Sequence, residues 1–389
     1  MKKILVISLL LFVPFSRSLA QDNDTLLVHM LIKDLATLQV ISDKEFYPGS
    51  FSSFRESAGF PHNYQRDNNA FFTAISIFTL QNMLPNLRGE DKKNVSQVIK
   101  NALPVFRFYR NSAGLPFYNF WPTGKSILPH TFIMNHFNKL LGMGEDADDA
   151  VMILMAMEAN DSTAAVLKHR MIEVSNLSLR KIKSTFSRYR QYPAYSTYLG
   201  LHMLPDFDFG VSCNILYFML SYKMPLVKQD SATIRLVSHI IKDREYLKSP
   251  AFISPYYARP PVLLYHIARL MGRFQIAELE THRARLIADM QEELNNTKNL
   301  MDKVILSTSL RWMGQSPPLL DISGMENQEK KTPDKFIFFQ ARAAFWYPSA
   351  LKKIFLKWNY LNYYFYSPAY NKVLLLEYLL SRNSTDKKP

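Results

Sequence analysis

Apolar residues recur along this chain at three- and four-residue steps. Phe71, Ala74, Ile75 and Phe78 follow this spacing, as do Leu263, His266, Ile267 and Leu270. The period puts each set on one side of an α-helix and predicts core-facing stripes. Between such stretches fall Pro48-Gly49, Asn86-Leu87-Arg88-Gly89, Pro122-Thr123-Gly124, Pro193, Pro205, Pro260-Pro261 and Pro317-Pro318. Proline lacks the donor a helix interior needs and glycine frees the backbone, so these positions read as breaks between helices. About a dozen helices result, stacked as hairpins. No alternating strand pattern runs longer than a few residues, and only 12 glycines are present, which disfavours turn-rich sandwiches. The expected class is all-α. The hairpins are only loosely alike, with no strict sequence period.

The first residues read as a leader. Lys2-Lys3 precede an apolar stretch from Ile4 to Phe15, and Ser18-Leu19-Ala20 offers a small-residue cleavage site before Gln21. Residues 1–20 are therefore expected to direct export, to the periplasm or the cell surface. Gln21 in place of cysteine leaves no site for a lipid on the first mature residue, and the apolar stretch is shorter than the ~20 residues of a spanning helix. No later run is apolar enough to cross a membrane, so a soluble mature chain is expected. Residues 21–381 are expected to form one helical domain, with a polar surface loop near Ser323 to Lys335 and a frayed tail over 382–389.

Charge and cysteine content narrow the function classes. Cys213 is the only cysteine, which excludes an internal disulfide and a multi-cysteine metal cage and reads as a small buried hydrophobe. His130, His136, His169, His202 and His266 never fall three or four apart, so no metal site is expected, nor any other cofactor. The formal net charge is +14, lowered to +11 once Lys2, Lys3 and Arg17 leave with the leader. Cations gather over residues 168–190 (Lys168, Arg170, Arg180, Lys181, Lys183, Arg188 and Arg190) beside Phe186, Tyr189 and Tyr192. Such a stretch is either a solvated helix face or a contact for an anionic membrane surface or polysaccharide. Nucleic acid is not an expected partner of an exported chain. Oligomeric state leaves no trace in the sequence.

The most specific segment is Gly144-Glu145-Asp146-Ala147-Asp148-Asp149-Ala150, followed by the apolar run Val151 to Met157. Carboxylates at a helix start accept orphan backbone N–H bonds and complement the dipole, worth ~0.3–2 kcal/mol, which explains the motif without any chemistry. Three carboxylates within four residues also cannot all ionise cheaply when buried, so one of them should stay protonated and able to donate. Asp67, in Arg66-Asp67-Asn68-Asn69-Ala70, reads as the cap of a helix, and Asp206 and Asp208 precede another. The aromatic runs Phe345-Trp346-Tyr347 and Trp358 to Tyr366 are expected to fill a helical core or to sit at a membrane interface, the alternative being ring faces that stabilise a passing carbocation.

These residues resemble the α/α-toroid superfamily of terpenoid cyclases and protein prenyltransferases, whose class II members carry an Asp-x-Asp-Asp motif that protonates an alkene or epoxide. On that resemblance Asp148 is the proton donor and Asp146 and Asp149 position it, with Ala150 where Thr commonly follows. Phe117 to Pro122, which contains Trp121, and Asp208 to Tyr217, which contains Asn214, are similar to segments of the smaller bacterial toroid proteins. Ser254-Pro255-Tyr256-Tyr257 leading into Leu264 to Arg269 is similar to the family's Tyr-Tyr helix. The likeness spans roughly residues 65–380 and implies a single toroid, an (α/α)6 ring or an incomplete one. It marks Asp208, Asn214, Trp121, Tyr256 and Tyr257 as binding residues. Departures are equally specific. The glutamine-tryptophan repeats of squalene-hopene cyclases are missing, the Asp-x-Cys pair of a prenyltransferase zinc site is missing, and Asn214-Ile215-Leu216 after Cys213 lacks the Glu-Gln of a thioester. The leading expectation is a non-catalytic toroid that holds a lipid, a glycan or a protein. The alternatives are a class II cyclase-like enzyme and a glycan-active toroid in which Asp148 and Asp208 flank a sugar bond.

Overall fold

The computed structural model describes residues 24–59, 64–124, 145–201, 204–322, 335–342, 349–356 and 362–384. The expected leader (1–20), the polar stretch 323–334, His130, His136, His202, Phe345-Trp346-Tyr347, Trp358 to Leu361 and the last tail residues 385–389 lie outside them.

Two kinds of helix alternate along the chain. The first kind is apolar on every side. Helix α2 (Phe71–Met83) is buried from Phe71 to Leu80, α4 (Ala147–Ala156) along its whole length, and α6 (Phe209–Ser221) from Phe209 to Met219. Helix α8 (Pro260–Arg273) is buried from Pro261 to Met271, α10 (Leu300–Trp312) over most of its length, and α11 (Pro368–Ser384) from Ala369 to Ser381. A helix buried all round must have neighbours on all sides. The stripes Phe71/Ala74/Ile75/Phe78 and Leu263/His266/Ile267/Leu270 are therefore parts of fully enclosed helices, not single core-facing faces. The second kind buries one stripe. Helix α3 (Gly89–Ala102) buries Val95, Val98, Ile99 and Ala102, α7 (Lys228–Asp243) buries Leu236, Val237, Ile240 and Ile241, and α9 (Arg283–Asn296) buries Leu286 and Met290. Helix α5 (Asp161–Glu173) and the first helix, α1 (24–38), belong with these.

Packing follows that division. Helix α2 packs on α4, α4 on α6, α6 on α8, α8 on α10, α10 on α11, and α11 back on α2. Helices α3, α5, α7 and α9 pack outside α2, α4, α6 and α10 respectively. Helix α1 is tied to α11 by Lys372–Asp34 at 3.0 Å and Arg382–Asp24 at 3.2 Å. Local sequence sets the helix starts. Asp146, Asn160, Asp208 and Asn299 each accept a backbone N–H as N-caps, and Pro260-Pro261, expected only as a break, opens α8, where its missing donor costs nothing.

Helices make up 58% of the chain, as an all-α composition requires. A small sheet accompanies them. Strands β1 (Phe54–Ser57), β2 (Tyr64–Arg66), β5 (Phe339–Arg342) and β6 (Asn362–Tyr366) pair antiparallel in the order β2-β1-β6-β5, with Phe54 opposite Tyr366 and Phe339 opposite Phe365. A two-residue pair, β3 (Tyr118–Asn119) with β4 (Glu145–Asp146), leads into α4. The aromatic run ending at Tyr366 is thus a strand where it is described, and from that strand Phe365 enters the buried core with Tyr363 packed against it. Aromatic side chains suit a pleated surface, and the run is too short to show clear alternation.

The basic stretch 168–190 is largely committed inside the fold. Lys168 is buried and donates to Asp230 at 3.0 Å and to the Pro225 carbonyl at 2.6 Å. Arg188 pairs with Asp243 at 2.7 Å and Glu245 at 2.6 Å, while Lys181 and Lys183 are exposed. Asp230, fully buried, also accepts from Tyr195 at 2.9 Å and from the Val227 N–H at 2.7 Å. Removing one partner of a buried pair strands the other charge, at about 3–5 kcal/mol. Asp230→Ala is expected to lower unfolding stability by that amount in urea titration, and a loss below about 1 kcal/mol would show that Lys168 reaches water instead.

Candidate functional site

The starts of the enclosed helices meet at one end of the molecule. Asp148, in the first turn of α4, accepts from Asn214 Nδ2 of α6 at 2.6 Å on one oxygen and from the Tyr257 hydroxyl, just before α8, on the other. Asn214 passes the contact on, since its Oδ1 accepts from Arg269 Nη2 of α8 at 2.5 Å. All four side chains are buried. The ring of Tyr257 lies against Gly210, where a Cβ would stand 2.4 Å from Tyr257 Cδ2. A side chain at Gly210 would push the hydroxyl off Asp148.

The three acids of the motif divide their work. Asp146 is the N-cap of α4 and accepts from the Asp149 N–H at 2.7 Å, so for this residue capping is the whole account. Asp148 is not a cap, because its oxygens are taken by side chains of two other segments. Asp149 is 1% exposed, and no donor stands at bonding geometry to either of its oxygens. Burial, then the charges of Asp146 and Asp148, push its carboxyl well above the usual range. Burial, then the charge of Asp148, also raises Asp146, to about 7, so the adjoining Asp146 and Asp149 carboxyls disfavour carrying two charges at once. Burial raises Asp148 as well, opposed by its bonds from Asn214 and Tyr257 and by the Arg269 charge.

Asp208 is the N-cap of α6, as its place before the helix suggests. Its carboxylate accepts from Val211 N at 3.1 Å, Ser254 Oγ at 2.6 Å and Tyr256 N at 3.0 Å. Burial pushes it up to about 7 against those three bonds. Tyr256 enters through its backbone, and its hydroxyl bonds Tyr198. Trp121 does not reach Asp148. Its indole N–H donates to both oxygens of Asp67 at 3.1 Å. Asp67 is not the cap it reads as: α2 starts at Phe71, and the Phe72 N–H donates instead to Asn69 Oδ1 at 3.3 Å. Asp67 anchors Trp121 and Asn69, with Arg55 at 3.7 Å.

Aromatic rings close this end. Phe339 of β5 stacks on Phe120 with centroids 5.3 Å apart and on Tyr256 at 5.8 Å, and it touches Phe71, Phe365 and Tyr257. The small sheet holds Phe339 there through β6, and the Gln340 N–H donates to the Tyr256 carbonyl at 2.8 Å. A cavity of about 220 Å³ opens beside Glu145, Asn111, Phe117 and Arg170, but Asp146, Asp148 and Asp149 do not line it.

Sequence reading missed Arg269 and what surrounds it. The guanidinium lies over the rings of Phe78 at 5.3 Å and Tyr265 at 5.5 Å, and Tyr265 donates to Glu377 Oε2 at 2.8 Å. An arginine inside the apolar run Pro261 to Met271 is the one signal that could have found it. Cys213 is buried and His266 is a core histidine, as expected. His266 Nδ1 donates to the Val262 carbonyl at 2.8 Å, and burial with the nearby Arg269 charge lowers the imidazole to about 3. Among the described residues no group of three His, Cys, Asp or Glu side chains could hold a metal, and no helix is long and apolar enough to cross a membrane. No family model matches the chain, and no curated protein matches it.

Asp208 and Glu377 both sit at about 7 in the fold, Glu377 chiefly through burial, against about 4 for a free carboxyl. Between those values the folded chain holds protons that the unfolded chain has released. The contribution of each carboxyl is therefore full below about pH 4 and falls as pH rises to 7, by about 1.4 kcal/mol per pH unit, against which the lowered imidazole of His266 adds stability only up to about pH 6.5. Urea midpoints measured from pH 5 to pH 8 are expected to decline, with a shallower slope in Asp208→Asn. A midpoint that climbs towards pH 8 would mean these carboxyls are ionised in the fold.

Proposed function

We propose that this chain is an exported α/α toroid that binds a ligand without transforming it. The cyclic order of the enclosed helices, with one-sided helices packed outside them, supports the toroid. The leader-like segment at residues 1–20 supports export. The observation that carries the function is the occupancy of Asp148. A proton-initiated cyclase needs its acid exposed to substrate in a pocket. Here both oxygens are engaged by Asn214 and Tyr257, the residue is 4% exposed, and the aromatic layer around Phe339 covers the end where it lies. Asp208 is equally engaged, which leaves little for a pair of carboxylates flanking a sugar bond. The acidic motif is then a clamp between helices, and the ring is a scaffold for binding a lipid, a glycan or another molecule elsewhere on its surface.

The cyclase reading keeps one specific feature, the carboxyl of Asp149, which burial and the charges of Asp146 and Asp148 push well above the usual range. Incubation of the purified chain with squalene separates the two. Unchanged squalene is expected from both the natural chain and Asp148→Asn. Cyclic products from the natural chain that disappear in an Asp148→Asn variant with an unaltered circular-dichroism spectrum would overturn the binding reading. Export has its own check. Intact-mass measurement on protein recovered from outside the inner membrane is expected to place the first residue at Gln21, and a full-length mass there would remove the leader.

A further inference from the structure

The ends of the enclosed helices meet at the opposite end of the molecule, and a cavity of about 200 Å³ opens between them. Asn82 and Met83 at the end of α2, Arg273 of α8, Trp312 of α10 and Leu380 of α11 form its upper wall, and Arg269, Tyr217 and Glu377 lie deeper. Asn82 and Arg273 are exposed, whereas Arg269 is 6% exposed, so the cavity runs from solvent down to a buried guanidinium. Nη2 of that guanidinium is spent on Asn214. Nη1 is buried and has no hydrogen-bond acceptor.

An unpaired donor on a buried cation is costly, and three rings cannot replace an acceptor: Phe78 at 5.3 Å, Tyr265 at 5.5 Å and Tyr217 at 6.0 Å. Among the described residues Glu377 is the only carboxylate in the wall, and it already accepts from Tyr265. Burial brings its carboxyl to about 7, so it does not fully neutralise two arginines. Shape is fixed as well. A Cβ at Gly272 would stand 2.7 Å from Trp312 Cβ, so the glycine lets α10 bring its indole against α8 at the cavity wall. Trp312, Met83 and Leu380 supply an apolar side next to the cationic floor.

We infer that this cavity binds the oxyanion of a small organic acid, a carboxylate or a phosphate monoester, with the anion held by the guanidinium groups of Arg269 and Arg273 and the apolar part against Trp312. The inference rests on the reading of the chain as a binding protein and supplies its site. Size agrees, since a cavity of about 150 Å³ already accepts benzene, and 200 Å³ adds room for one carboxylate. Guanidinium groups suit such oxyanions because their paired N–H donors match two oxygens at once.

Calorimetric titration of the full chain with benzoate and with inorganic phosphate, at ionic strength held constant with sodium chloride, tests the assignment. One equivalent of at least one probe is expected to bind, benzoate alone marking a carboxylate site and phosphate alone a phosphate site. Arg273→Ala is expected to weaken binding at least tenfold, and Arg269→Lys, which keeps the charge but loses the second donor, to do the same. Lys181→Ala, on another surface, should leave it unchanged. Absence of binding by either probe, or affinity unaltered in Arg273→Ala, overturns the site even where Arg269→Lys fails to fold. A ligand that co-purifies with the chain and stays bound in Arg273→Ala would overturn this site alone and leave the binding reading standing. Squalene cyclisation by a chain that still binds benzoate would do the reverse.

Discussion

A carboxylate and a carboxamide, Asp148 and Asn214, join three segments whose remaining contacts are mostly apolar. Apolar contacts are non-directional and tolerate sliding. The chain Tyr257–Asp148–Asn214–Arg269 does not, because each link is a buried hydrogen bond whose loss strands a polar atom. It fixes how α4, α6 and α8 stand against one another. The closeness of Gly210 to Tyr257 shows how little room that register leaves. Arg269 belongs to this chain on one side and to the lining of the far cavity on the other, so a single guanidinium links the two ends of the enclosed helices.

The two ends differ in chemistry for a physical reason. Helix starts present N–H donors and attract acids, and Asp146 and Asp208 accumulate there as caps. Their number creates a like-charge problem, which burial and protonation of Asp149 resolve and the aromatic layer around Phe339 seals. Helix ends present carbonyls and favour cations. Arg273 and Trp312 lie there beside an open cavity. The acids that attract notice in the sequence thus lie beneath an aromatic layer, while the cavity at the far end is lined by residues that form no sequence motif.

Much of the fold was legible in the residues. The helical period, the scarce glycine and the proline breaks give the helix-rich class, and the caps at Asp146 and Asp208 follow from acids placed before apolar runs. The site was legible in part. Asp148, Asn214 and Tyr257 were singled out, and the fold brings them into direct contact across 66 and 109 residues of chain. Trp121 and Tyr256 were singled out too, but the fold gives them to Asp67 and Tyr198. Asp67 failed as a cap because Asn69, two residues on, lies closer to the first turn of α2. The small sheet was missed because its strands are four or five residues at most and pair across some 300 residues, as Phe54 does with Tyr366.

Sequence by itself determined which segments become helices, where they start, and that three neighbouring acids cannot all be charged. These properties depend on neighbours within one or two turns, where spacing along the chain equals position in space. Tertiary structure alone decided which acid caps, which one clamps and which one keeps a proton, because those roles depend on donors contributed by α6 and by the segment before α8. It also decided that Arg269 gives one donor to Asn214 and lies beside a cavity, since a guanidinium buried in an apolar helix takes its hydrogen-bond partner from another part of the chain.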